Sequence, residues 1–306
     1  MKRIKHFKYI LFVSIMVITY HLYAQQQTMY SNYIINGFAI NPAIAGTSEL
    51  FPIQLSVRQQ WIGIENAPQT QSLSTHTDLG RNRVTGVGGM VYHDAFGAIS
   101  EIGVMGAFSY KIKVYNKTQL SFGLALSATQ FSFNNSNQNI INDDDIVFNQ
   151  STDVSLIPDA NFGLYLYDDK YFLSLSSTQL LQLPIALGSG NKLNKTVRHY
   201  YLYGGYKFKL NDVIQLEPSL MLKTTEQSAL QIDINAKLIY SKNYFLALSY
   251  RHKESAIVMF GVKVDRYSIA YAFDYSVSKL KNVNSGSHEI VLRFDIKKQA
   301  KSSALL

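Results

Sequence analysis

Four polar residues in one short segment could form a hydrolytic site. His76 and Asp78 are two positions apart, and Ser72 and Ser74 precede them with the same spacing. A hydroxyl nucleophile beside a basic histidine, oriented by a carboxylate, is the arrangement of serine hydrolases. The sequence offers no Gly-x-Ser-x-Gly nucleophile elbow in support, and polar side chains that line a lumen would show the same spacing. We therefore predict no catalytic residue, and a barrel-embedded hydrolase is the least favoured interpretation.

An acidic cluster is the one candidate for metal binding. Asp143, Asp144 and Asp145 could hold calcium together with Asn142, because hard cations prefer several carboxylate oxygens. Adjacent carboxylates in a loop are usually only solvated. The chain contains no cysteine, which excludes disulfides, thiolate metal sites and cysteine nucleophiles. We predict no metal and no cofactor, and we interpret the three aspartates as partner-binding residues.

A glycine-rich stretch could suggest a phosphate-binding loop. Gly86, Gly88 and Gly89 lie inside a strand pattern, however, and not at the turn from a strand into a helix that such loops require. Glycine within a strand more often marks a kink or a place where another backbone approaches closely. The stretch therefore predicts a kink or a close backbone approach in the barrel wall, and not a phosphate-binding site.

Cations with aromatic neighbours occur near several predicted strand ends. Such residues either anchor a protein at the membrane interface or form a rim that receives a partner, since arginine and large aromatic residues dominate binding surfaces. The remaining candidates for partner binding are Arg58, Trp61, Arg198, Arg251 and His288.

Apolar and polar residues alternate through most of the chain, as in the run from Leu230 to Tyr240. This period of two predicts strands with one apolar and one polar face. Fourteen such segments can be counted: 51–61, 70–80, 84–94, 100–115, 118–133, 158–168, 170–182, 196–210, 213–223, 228–241, 243–252, 255–264, 267–278 and 287–297. Most reach the roughly 9–11 residues that a tilted strand needs to cross a bilayer, whereas strands of soluble domains usually have about 5–6. The pattern predicts an all-β, transmembrane antiparallel β-barrel of about 14 strands.

The predicted connections alternate in length, which supports a membrane barrel. Those after even-numbered strands are short, and those after odd-numbered strands are mostly longer, with the longest at 134–157, 184–195 and 278–286. Outer-membrane barrels have short periplasmic turns and longer outside loops. An even strand count then places both chain ends in the periplasm.

The segments outside the strands complete the organisation. A basic head, an apolar stretch and Ala24 predict a signal peptide over residues 1–24. Residues 25–50 form a periplasmic or plug-like lead-in marked by Asn41, Pro42 and Gly46, residues 51–298 form the barrel, and residues 299–306 form a C-terminal tail. Removal of the signal peptide lowers the formal net charge from +8 to +4, which is too weak an excess to suggest nucleic acid as a partner.

Several sequence blocks resemble the PorP/SprF family of outer-membrane proteins of the type IX secretion system. The blocks are Asn41 to Gly46, Arg58 to Gly63, Ala67 to Ser72, Gly86 to Asp94 with Gly97, Arg198 to Tyr200, Pro218 with Lys223, Tyr250 with Arg251, Tyr271 with Phe273 and Asp274, and Gly286 to Ile290. They follow in order over nearly all of the chain beyond residue 24. The loop around Asp143 to Gln150 departs from the family pattern.

The resemblance implies a non-enzymatic barrel in the outer membrane that works in protein secretion and gliding motility. Family members retain a secreted adhesin through its C-terminal signal domain, or belong to the core secretion apparatus. The expected partners are therefore such an adhesin, components of the type IX machinery and outer-membrane lipid. A small-molecule porin is the alternative, because Gln215, Glu217, Asp233, Asn235 and Lys237 would line a polar lumen.

Overall fold

The structure is a computed structural model, and it describes residues 32–80, 82–134, 152–185 and 194–296. Within these residues the strands are β1 Phe51–Gln59, β2 Gln69–Leu79, β3 Thr85–Phe96, β4 Ile99–Tyr115, β5 Thr118–Asn134, β6 Thr152–Tyr167, β7 Tyr171–Thr178, β8 Pro184–Ile185, β9 Asn194–Lys195, β10 His199–Tyr206, β11 Phe208–Lys209, β12 Ile214–Thr225, β13 Gln231–Tyr240, β14 Tyr244–Arg251, β15 Ser255–Val264, β16 Tyr267–Ser276 and β17 Ser287–Ile296. In the same residues, no helix is long and apolar enough to cross a membrane.

The strands close into one antiparallel barrel. Each of β1 to β6 pairs with the next strand, β7 pairs with β10, and β10 pairs with β12. From β12 to β16 each strand again pairs with the next, and β17 closes the barrel by pairing with β1 along Phe51 to Gln59. The two-residue β11 adds to the edge of β12, and β8 and β9 form a separate ladder. Counting long strands in the described chain gives fourteen around the wall, which confirms the predicted fold and strand number.

The two faces of the wall have reversed polarity compared with a soluble protein. Large apolar side chains are exposed outward, including Leu126 at 75% and Leu124 at 61%, whereas serine and charged side chains point inward and are buried. Tyr115 and Tyr267, beside two of the short turns, add exposed aromatic rings. An outward apolar band with aromatic flanks and a polar interior is the pattern of an outer-membrane barrel. The period of two in the sequence is therefore the cause of the architecture.

Some predicted boundaries are wrong. Strand β6 begins at Thr152 and not at 158, so part of the predicted loop 134–157 is wall. Strand β7 ends at Thr178 and not at 182, because Gln179 and Gln182 adopt positive φ angles of 57° and 50° and turn the chain away. The predicted loop between β3 and β4 is a tight hairpin in which Phe96 pairs with Ile99 around Gly97.

The lead-in lies inside the barrel. Within residues 32–50 the chain forms three short 3-10 turns, at Asn32–Ile34, Gly37–Ala39 and Pro42–Ile44. Tyr33, Ile34 and Ile40 pack against inward residues of β10 and β12. Phe38 and Ala45 pack against inward residues of β3, β4 and β5 on another part of the wall. The segment therefore crosses the lumen and contacts two separate groups of strands in the barrel wall.

Candidate functional site in the lumen

Asn41 fixes the centre of the lead-in to the wall. Its side chain is fully buried, and its Nδ2 donates to Ser174 Oγ at 2.7 Å and to the Leu164 carbonyl at 2.9 Å. Its Oδ1 accepts from the Ala43 backbone N–H at 2.8 Å and caps the turn that starts at Pro42. Both ends of this amide are thus satisfied, which a buried polar group requires.

Wall side chains also bind the lead-in backbone. Ser176 Oγ donates to the Ile40 carbonyl at 2.7 Å, and Lys111 Nζ donates to the Gly46 carbonyl at 2.6 Å. The Gly46 N–H donates to His76 Nδ1 at 3.2 Å. Gly46 itself has a φ of +69°, the left-handed conformation that favours glycine. The lead-in has only short 3-10 turns, so few of its backbone groups can pair within the segment. These bonds from the wall supply partners for some of the others.

Several wall glycines lie where the lead-in packs directly against the wall. A Cβ added at Gly123 would overlap the backbone of Pro42 and Ala43, and one added at Gly163 would overlap Asn41 Oδ1. A Cβ at Gly86 would overlap the Ala45 carbonyl, which confirms the close approach predicted for that stretch. The lead-in can therefore pack this closely only because these wall positions are glycine and carry no side chain.

The residues of the suggested hydrolytic site contact the lead-in. Ser74 Oγ accepts from Asn36 Nδ2 at 3.0 Å, and the His76 ring packs beside Phe38 with centroids 5.2 Å apart. Asp78 forms an ion pair with Arg83 at 3.3 Å. A polar cavity of about 370 Å³, lined in part by Asn36, Ser74 and His76, remains beside the lead-in.

Arg58 lies at the centre of a buried ion-pair network near the outer ends of the strands. Its guanidinium is 2.7 Å from Asp274 and 3.2 Å from Glu289, and Glu289 also accepts from Ser56 Oγ at 2.8 Å. The side chain is 2% exposed and that of Glu289 is 0% exposed. Arg58 shares strand parity with Ser56 and points inward, so it is not an interfacial anchor.

Arg251 extends the network and links it to the lead-in. It lies 3.2 Å from Asp233 and 3.3 Å from Glu254, and it is also 2% exposed. The Tyr33 hydroxyl is 3.1 Å from both Asp233 and Asn235. Burial, and to a lesser degree the Asp233 carboxylate, raise the pKa of Tyr33, so the phenol keeps its proton and donates it. Contact of Arg58 or Arg251 with a partner stays a prediction that would require the lumen to open.

The other candidate residues lie at the outer rim. The Trp61 N–H donates to Ser287 Oγ at 3.1 Å, and the half-buried His288 pairs with the Tyr271 hydroxyl through Nδ1 at 2.5 Å. Arg198 lies elsewhere on the rim, 3.0 Å from Glu226. Asp143, Asp144 and Asp145 lie outside the described residues.

The network also contains residues that the sequence analysis did not select as site residues: Tyr33, Asp274 and Glu289. A carboxylate on the inward parity of a strand was the available signal, because a buried charge needs a partner of opposite charge. Among all the residues that the structure describes, no group of three or more histidine, aspartate or glutamate side chains is placed to hold a metal ion.

Comparison with known proteins identifies a family and a fold. A family model described as type IX secretion system membrane protein PorP/SprF matches residues 22–294. Among solved structures, a TodX deltaS2S3 mutant, a monoaromatic hydrocarbon channel, is 9% identical and aligns over 89% of this chain and 95% of its own, with a TM-score of 0.51. A Pseudomonas aeruginosa FadL homologue is 11% identical, with coverages of 83% and 91% and a TM-score of 0.46. The KdgM porin is 10% identical, with coverages of 79% and 98% and a TM-score of 0.38. At these identities the likeness concerns the fold alone, and no curated protein matches the sequence.

Proposed function

Because this chain belongs to the PorP/SprF family of type IX secretion system membrane proteins, we propose that it is a docking barrel. It holds a secreted partner, a large surface adhesin, at the cell surface through the partner's C-terminal signal domain, and it does so without catalysis. The family and the barrel fold place the protein in the outer membrane. Membership of the family supports an association with the secretion machinery. Retention of an adhesin is the part that we propose in addition.

One observation carries this proposal: residues 32–50 occupy the lumen and bind its wall. The segment is fixed at Asn41 by bonds to β6 and β7. Its backbone meets glycine on β3 and β5, and the Asn41 side chain meets Gly163 on β6. A barrel filled by its own chain favours a protein that presents a surface over one that conducts solutes. The lead-in acts as a plug in this proposal.

The outer loops are the surface that would select the partner. Loops on a rigid scaffold usually carry binding specificity. The loops after β1 and before β17 are joined, since the Ile62 N–H donates to the Gly286 carbonyl at 2.9 Å and the Ser285 N–H to the Ile62 carbonyl at 2.7 Å. Trp61 and His288 lie at this joint and are candidates for partner contact.

Deletion of the gene tests the proposal. Mass spectrometry of surface proteins should show that one large secreted protein disappears from the deletion strain and returns when the intact gene is restored. A second strain carries a short Gly/Ser linker in place of residues 135–151, which connect β5 and β6. Its barrel should stay folded and heat-modifiable on gels, but the strain should retain less of the secreted partner. An unchanged set of surface proteins in the deletion strain would refute docking.

Conductance of the purified protein separates docking from the porin alternative. Planar bilayers should show no steady current with the intact chain, because the lead-in occupies the lumen and binds several strands of its wall. Steady, large single-channel currents would instead support a porin with an open lumen. A co-isolation of the tagged protein with type IX components from the same cells would test the association with the machinery.

A further inference from the structure

In the part of the chain that the structure describes, the outer half of β6 has an unpaired edge. Strand β6 pairs with β7 only from Phe162 to Tyr167, and the last backbone bond on that side runs from the Leu180 N–H to the Ala160 carbonyl at 3.0 Å. Beyond Leu181 the chain turns inward, and Ile185 packs against Phe131 and Ile157 on the lumen side. Among the described residues, therefore, no strand pairs with β6 between Thr152 and Pro158 on the side away from β5.

The orientation of the free backbone groups follows from the Ala160 bond. In an antiparallel sheet both polar groups of a residue face the same neighbour, and the side alternates along the strand. Because the Ala160 carbonyl faces β7, the groups of Thr152, Val154, Leu156 and Pro158 also face the open side. Proline at 158 has no N–H to leave unpaired there, as is typical of an edge strand. Thr152, Val154 and Leu156 offer alternating donors and acceptors, and with the Pro158 carbonyl the open groups cover a length of roughly 20 Å.

This edge extends beyond the end of the neighbouring strand β7, whose last pair with β6 is Ser177 with Phe162. On the neighbouring strand β5 the outward residues change from Leu124 and Leu126 to Gln130, which pairs across the strands with Leu156. Backbone groups left open in hydrocarbon cost several kcal/mol each, so an open edge is tolerated only in water. The edge nevertheless carries exposed apolar side chains, since Val154 is 58% and Leu156 is 67% exposed.

We propose that the β6 edge at Thr152–Pro158 is a docking site for an extended strand of the secreted partner. This inference rests on the proposed docking function and assigns its location. The open N–H and carbonyl groups fit the backbone of an added strand, and Val154 and Leu156 fit apolar side chains at alternate positions of that strand. Natural proteins usually protect edges with charged side chains, and neither of these two positions is charged.

The test uses the full-length protein in detergent and a defined probe. The probe is the C-terminal domain of the secreted protein whose surface display is lost in the deletion strain. Leu156→Pro removes a donor from the open edge without breaking a bond to β5, and Leu156→Lys keeps the donor but places a charge on the edge. Gln130→Lys is the matched control, because it places the same charge on the same face one strand away.

Both Leu156 variants should weaken binding of the probe at least tenfold, and Gln130→Lys should bind like the wild type. Heat-modifiability on gels should be retained by all three variants. In hydrogen exchange, the amides of Val154 and Leu156 should exchange quickly in the free protein and slowly in the complex. Slow exchange in the free protein would mean that another part of the chain or a second copy covers the edge, and it would refute the inference. Unchanged binding by both Leu156 variants would refute the β6 edge as the docking site but leave the docking function intact. Failure of the wild type to bind the probe would refute the docking function itself.

Discussion

Adding one methyl group at Gly123 should displace the lead-in. The Cβ of Gly123→Ala would overlap the backbone of Pro42 and Ala43, so no side-chain rotation can relieve the contact. Overpacking of this kind costs about 1–3 kcal/mol, which corresponds to a roughly 5- to 150-fold shift from the seated to the displaced lead-in. Gly106→Ala is the control, because its added Cβ meets nothing within 4 Å. Any general gain from replacing glycine by alanine is common to both variants and cancels in the comparison.

Two measurements follow the position of the lead-in. In planar bilayers, Gly123→Ala should show frequent channel openings, whereas Gly106→Ala should stay as silent as the wild type. Limited proteolysis should cut residues 32–50 faster in Gly123→Ala, while the barrel itself stays intact on gels. Equal conductance and equal proteolysis in the two variants would show that the lead-in does not depend on this contact, and the plug assignment would then be wrong.

Three further variants test the interior and the rim. Arg58→Met leaves two buried carboxylates without their main cation, so it should lower the stability of the barrel by about 3–5 kcal/mol in thermal unfolding followed on gels, whereas Lys117→Met at an exposed ion pair should change nothing measurable. Tyr33→Phe removes a buried hydroxyl that lies beside two acceptors. It should weaken the binding of the lead-in to the wall by roughly 1–3 kcal/mol, which should appear as faster proteolysis of residues 32–50. At the rim, a hydrogen bond from Gln182 lowers the pKa of Glu226, and its bridge to Arg198 adds to the shift. A lowered pKa stabilises the folded rim above the ordinary glutamate range, and this stability is lost as the pH falls through the lowered value. The protection factors of the amides of residues 179–183, which correct for the slower intrinsic exchange at lower pH, should therefore fall on acidification, and Glu226→Gln should remove that pH dependence.

The wall of the barrel could be predicted from the sequence because each strand carries its own signal. Alternation such as Leu230, Ile232 and Ile234 requires no knowledge of the neighbouring strands. The predicted boundaries were wrong at strand ends that the alternating pattern does not mark. Thr152 follows an Asn- and Asp-rich stretch that indicates a loop, and the end of β7 depends on the positive φ of Gln179, which glutamine does not signal.

The interior could be predicted only in part, because its contacts join distant parts of the chain. Asn41 was selected, but its partner Ser174 is more than 130 residues away, and only closure of the barrel brings the two together. The same holds for Arg58, whose cationic character was clear although its pairing with Asp274 depends on the register of β1, β17 and β16. Residue types indicate which groups need partners, and the topology decides which partners they meet.

The Arg251 ion pairs connect an outer turn of the barrel to the lead-in. Tyr33 of the lead-in contacts Asp233, Asp233 pairs with Arg251, and the Glu254 partner of Arg251 lies in the outer turn between β14 and β15. A partner that moves this outer turn would alter the position of Arg251 and therefore the contact that holds Tyr33.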